Sequence, residues 1–123
     1  MKIWIALGAG LAALCVCLGA FGAHALKTRL DADMLAVFET GARYHMYHAL
    51  GLFAVAMAAS RYTHGAITAS GWLLVAGIVI FSGSLYALSI SGVKILGAIT
   101  PIGGVCFIAG WICLAYGVLA AGD

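Results

Sequence analysis

Apolar positions fall into four long runs, Ile3–Ala25, Tyr44–Ala59, Gly71–Ser91 and Pro101–Ala121, separated by short polar stretches. An α-helix rises about 1.5 Å per residue, so roughly 20 residues cross the roughly 30 Å of hydrocarbon in a bilayer. The runs therefore predict transmembrane spans at about 3–25, 44–59, 71–91 and 101–121. Ahead of the second run, Asp31 and Asp33 precede Met34, Leu35 and Phe38 at helical spacing, and either aspartate can cap the first turn. One helix from Asp33 to Ser60 is expected, longer than a membrane needs, with an amphipathic lead-in over 31–43 that lies in the interface or bends at Gly41. No linker, repeat or low-complexity stretch interrupts residues 1–123, which read as one domain. The expected fold is an all-α membrane protein: an antiparallel four-transmembrane-helix bundle with that interfacial lead-in to its second helix.

The ends of the runs refine this picture. Lys2, an apolar core and Ala23-His24-Ala25 imitate a secretory signal with its cleavage site, but the apolar run is about 20 residues against the roughly 7–15 of a signal core, and it reads as a retained span. Thr100-Pro101 reads as the start of the fourth helix, with Thr100 as cap and Pro101 at the first helical position, where its missing N–H costs nothing. Small residues recur at heptad spacing: Gly8, Ala12, Cys15, Gly19 and Gly22 in the first span, Gly77, Ser84 and Ser91 in the third, Gly103, Gly110 and Gly117 in the fourth. In lipid such stripes let helix backbones approach closely, and packing is the reading given to nearly all of them.

Composition closes off other classes. Hydrophobic residues make up 65% of the 123 and charged residues 8%, with a mean hydropathy of +1.14. Soluble domains carry about 25% charge to cover their surface, so a soluble globule, a large catalytic domain and a nucleic-acid binder are excluded. Cys15, Cys17, Cys106 and Cys113 lie inside apolar runs without metal-ligand spacing and read as small hydrophobes. With a net charge of +2, charge informs only by position. Lys27, Arg29, Arg43 and Lys94 stand on one side of the spans and Lys2 and Arg61 on the other, which predicts both termini on one side, outside the cytoplasm.

Candidate chemistry concentrates where the first helix ends and the second begins. Alternating helices bring Phe21, His24, Lys27 and Arg29 to the same membrane face as Glu39, Arg43, Tyr44, His45, Tyr47 and His48. Glu39 and Arg43 are spaced i, i+4 with the acid first, the favourable order for a helical ion pair, and ionisable groups at membrane depth carry a functional reading by default. His45 and His48, at i, i+3, share a flank of the helix. With His24 they could ligate zinc, copper or haem iron, although H-x-x-H by itself is a weak metal signature and interfacial anchoring is the plainer role for histidines and tyrosines. Ser82, Ser84, Ser89 and Ser91 are expected to bond back to their own helix or across to a neighbour, and His64 reads as solvated. No phosphate-binding loop, nucleophile elbow or intramembrane carboxylate pair occurs, and the sequence requires no cofactor.

Gly19-Ala20-Phe21-Gly22-Ala23-His24-Ala25-Leu26, Phe38-Glu39-Thr40-Gly41 with Tyr44-His45 and Tyr47-His48-Ala49-Leu50, Phe81-Ser82-Gly83-Ser84-Leu85-Tyr86, and Thr100-Pro101-Ile102-Gly103-Gly104 with Gly110-Trp111 follow in order along nearly the whole chain. In these motifs the sequence resembles the small YgdD/YwdK-like family of bacterial inner-membrane proteins of unknown function. The resemblance implies four transmembrane helices in the bacterial cytoplasmic membrane and brings no activity or site residue. Two readings of function follow. The first is a non-enzymatic protein that binds a lipid, a quinone-like small molecule or a membrane-protein partner, a second copy included, in the cleft between the first two helices. Lys27, Arg29 and Arg43 would meet a headgroup there, and Phe21, Tyr44 and Tyr47 would line the apolar part, beside His24, Glu39 and His48. The second is a metal- or haem-binding protein using His24, His45 and His48.

Overall fold

A computed structural model describes residues 1–122, apart from the side chain of Ala23. Four helices alternate in direction: α1 (Lys2–Leu26), α2 (Ala32–Arg61), α3 (Gly65–Ser91) and α4 (Leu96–Ala120). Among the described residues α1, α3 and α4 are long and apolar enough to cross a membrane, whereas the polar first half of α2 dilutes its hydropathy. The protein is an all-α membrane protein. Helix α1 lies along α2 and α4 along α3, and α2 and α3 pack together between them.

The termini of the helices follow local chemistry. Asp31, extended in backbone, accepts the Met34 N–H at 2.8 Å and starts α2, which then runs unbroken for 30 residues through Gly41. His64, expected to be solvated, is half-buried: its Nδ1 accepts the Ala66 N–H at 3.0 Å, capping α3 after a connection of only Tyr62, Thr63 and His64, and its ring meets Tyr116 edge-on. Gly92 ends α3 at φ 73°, a left-handed conformation that costs glycine little. The start of α4 lies earlier than Pro101. Bonds from Leu96, Gly97 and Ala98 N–H groups to the carbonyls of Val93, Lys94 and Ile95 wind the chain into the helix, so Pro101 falls inside it. The Thr100 hydroxyl, expected to cap, bonds back to the Leu96 carbonyl instead.

Two five-residue π turns interrupt the spans, Leu18–Gly22 in α1 and Ile78–Ser82 in α3. Small residues close the α3–α4 seam. A Cβ on Gly103 would run into the backbone of Phe81, one on Gly77 into the Phe107 ring, and those on Gly110 and Gly117 would stand 2.8 Å from Leu74 and Ile67. Along α1 the stripe is only partly used. Gly8 meets the Ala49 carbonyl and Gly22 the Phe38 ring, but Gly19 has nothing within 4 Å, because the π turn shifts the helical phase just before it reaches α2. Trp4, Leu52, Val55, Ile67, Leu74, Ile78 and Phe107 form the core.

Candidate functional site

Around α2, each successive residue turns about 100°, and the segment Gly41–His48 serves three neighbours in turn. The Ala42 carbonyl faces α1 and accepts a hydrogen bond from the Cys15 thiol at 3.1 Å. The Gly41 carbonyl faces α3 and accepts the Ser82 hydroxyl at 2.7 Å, from the last residue of the second π turn. His45, 2% exposed, places Nδ1 2.9 Å from the Tyr86 hydroxyl of α3. Its Nε2 is buried without a hydrogen-bond partner; the Leu11 carbonyl of α1 faces the ring but completes no bond of ordinary geometry. One turn on, His48 Nδ1 stands 2.6 Å from the Tyr44 carbonyl, and the imidazole lies flat on Phe107 of α4 with ring centroids 3.5 Å apart.

Depth distinguishes this arrangement from the expected rim. Cys15 stands beside the midpoint of α1 and Phe107 beside that of α4, so the histidines they flank sit halfway through the bundle. Apart from Nε2 of His45, the polar groups described there have a partner on another helix or on their own backbone; an unsatisfied one in hydrocarbon costs on the order of several kcal/mol.

Not all the candidates meet. Gly8 packs on Ala49, Cys15 on Ala42 and Gly22 on Phe38, a register that sets exposed His24 level with the turn before Phe38, roughly 14 Å along the axis from His45 at 1.5 Å per residue. His45 and His48, although three residues apart, lie on either side of the line where α3 packs, one ring turned to Tyr86 and the other to Phe107. The metal set His24, His45 and His48 is therefore not assembled, and among the described residues no three His, Cys, Asp or Glu side chains gather as ligands. Nor do the residues of the expected cleft share one surface. Phe21 is 75% exposed on α1, whereas Tyr44 stacks toward α3 and α4 against Phe81 at 4.8 Å, with Tyr47 beside it at 5.7 Å. Lys27 and Arg29 are exposed in the connection between α1 and α2, and Glu39 and Arg43 are exposed on α2. What remains together is Tyr44, Tyr47 and His48, joined by Phe81, Phe107 and Trp111, which were not among the candidate site residues; Arg43 is exposed one residue before Tyr44.

Cys15 and Tyr86 were likewise missed as partners of α2, whereas Ser82 bonds across to a neighbour, one of the two outcomes expected of the serines. Ser84, Ser89 and Ser91 do bond back to their own helix, to Phe81, Tyr86 and Ala87 carbonyls, and Ser84 also meets Thr100 of α4 at 2.6 Å. Only Ser82 spends its hydroxyl on α2, and nothing in its spacing separates it from the others.

A family model described as "Protein of unknown function (DUF423)" matches residues 18–104. The UPF0382 membrane protein YwdK of Bacillus subtilis is 56% identical over 115 residues, 93% of this chain and 94% of that protein. UPF0382 membrane proteins of Staphylococcus saprophyticus, 51% identical over 95% of this chain and 97% of the relative, and of Haemophilus influenzae, 48% identical over 84% and 82%, match as well. No solved structure matches the chain.

Proposed function

Since this chain belongs to the DUF423 family, membrane proteins to which no activity is attached, we propose a non-enzymatic protein that holds a lipid or quinone-like molecule on the face of α2 turned toward α4. The observation that carries the reading is His48. Its Nδ1 faces a carbonyl, which only accepts, so Nδ1 bears the proton and the neutral ring presents Nε2 as an acceptor. Nε2 makes no hydrogen bond among the described residues and, although His48 is only 6% exposed, it is not fully sealed as Nε2 of His45 is. Exposed Tyr44, Tyr47 and Trp111 stand around it, rings on which a planar group stacks while a ligand hydroxyl donates to Nε2. Arg43, also exposed, has a stem long enough to lead its charge toward the headgroup layer.

A thermal-shift series in detergent tests this with a short-chain hydroquinone, its quinone and a phospholipid. The hydroquinone is expected to raise Tm most, and Tyr47→Ala, an exposed side chain, is expected to abolish that rise while leaving the ligand-free Tm unchanged. Equal, negligible shifts for all three compounds would overturn the reading. We further propose residence in the bacterial cytoplasmic membrane with both termini outside the cytoplasm, on the count of Lys27, Arg29, Arg43 and Lys94 against Lys2 and Arg61. Reporter fusions after Gly122 and within the connection between α3 and α4 are expected to report opposite sides, the first extracytoplasmic.

A further inference from the structure

We infer that the far end of the α2–α4 seam is a second site, one that takes an anionic phospholipid with its phosphate on Arg61 and an acyl chain in the cleft beneath. A cleft of about 320 Å³ opens there between the C-terminal turns of α2 and α4, lined by Ala54, Met57 and Ala58 on one wall, Leu114 and Val118 on the other, and Arg61 at its mouth. The small side chains of Ala54 and Ala58 hollow the seam, and the volume matches the lower end of ligand pockets, about 300–1,000 Å³, enough for part of one chain. Apart from Arg61 and the tyrosine hydroxyl of Tyr62, the side chains of its walls are apolar.

Charge specifies the occupant. Asp31, Asp33 and Glu39 all stand at the opposite end of the bundle, so among the described residues no carboxylate shares the end that carries Arg61 and Lys2. Tyr62 and exposed Tyr116 flank the same level, the depth at which amphipathic rings collect beside headgroups. A guanidinium there offers paired donors to a phosphate and meets no carboxylate among the described residues, while the apolar cleft below favours an anion that carries a chain over a free one. This site lies about 20 Å along α2 from His48, thirteen residues at 1.5 Å each, and does not depend on the ligand proposed for that face.

Native mass spectrometry of the full chain released from mixed micelles of phosphatidylglycerol and phosphatidylcholine tests the assignment. Wild-type protein is expected to retain phosphatidylglycerol about five-fold over phosphatidylcholine, the worth of one cation near an anionic surface. Arg61→Gln is expected to bring that ratio to about one, Arg61→Lys to keep most of it, and Lys2→Gln to leave it unchanged. Ala54→Trp, or Val118→Trp should the first not fold, is expected to reduce retention of both lipids by filling the cleft. A ratio unaffected by Arg61→Gln, or retention undiminished in a folded cleft-filling variant, would overturn the assignment. Equal competition by glycerol phosphate without chains would do the same.

Discussion

Two seams of the bundle hold helices together by different means. Between α3 and α4, apart from the Ser84–Thr100 hydroxyl pair, the contact is backbone on side chain: Gly77, Gly103, Gly110 and Gly117 lack the Cβ atoms that would push the helices apart, and Phe81, Phe107, Leu74 and Ile67 fill the space. Around the Gly41–His48 segment of α2 the contact is polar: a thiol, a serine hydroxyl and a tyrosine hydroxyl reach in from α1 and α3 to two carbonyls and an imidazole. Lipid tails drive neither seam, being as apolar as leucine. The first stores its specificity in shape and the second in satisfied polar groups, so the first should tolerate no added volume and the second no deleted partner.

Substitutions can set the two against each other. Gly103→Leu is expected to have the largest effect, lowering stability by about 3 kcal/mol or more, because the atoms a side chain would meet are Phe81 backbone, which cannot turn aside. Tyr86→Phe comes next. It leaves His45 with both ring nitrogens unpartnered in the interior, at a cost of about 1–3 kcal/mol. Ser82→Ala should cost less, about 0.6 kcal/mol and under about 1.7, the range found for hydrogen bonds between membrane helices. Gly19→Leu should lie within about 0.5 kcal/mol of wild type, since the position faces open space. Reversible unfolding in mixed micelles measures all four. A Gly19→Leu loss equal to that of Gly103→Leu would show that the α1 stripe packs after all, and a Tyr86→Phe variant as stable as wild type would remove the polar seam from the account.

The shape-based seam was legible in the sequence because a glycine every seventh residue needs only spacing to be recognised, and Gly103, Gly110 and Gly117 do face α3. The same rule failed at Gly19, where a π turn adds a residue to the helical phase and nothing in Leu18–Gly22 announces it. Asp31 was readable as a cap because its partner is three residues away. The polar seam was not readable: Cys15 and Ala42 are 27 residues apart, Ser82 and Gly41 are 41 apart, and His45 and Tyr86 are 41 apart, so each bond exists only once two helices are in register, and the set only once all three are. Pro101 misled for a local reason, since the turn from Val93 begins the helix before the residue that ordinarily would. Candidate residues at the α1–α2 connection were grouped by connectivity, which fixes the membrane face but neither the depth nor the direction of a side chain.

The hydropathy of α2 bears on how the chain is made. Alone among the four helices, α2 is not apolar enough by composition to cross a membrane, and it carries Arg43, His45 and His48 near its middle. A single arginine at the centre of an isolated helix costs about 2.5–3.5 kcal/mol at the translocon. During synthesis, α2 leaves the ribosome before Ser82 and Tyr86 exist to receive it, with only α1 as a neighbour. Integration of the second helix is therefore expected to be assisted by the third, and a nascent chain cut short before Phe81 is expected to hold α2 in the membrane less firmly than the full chain does.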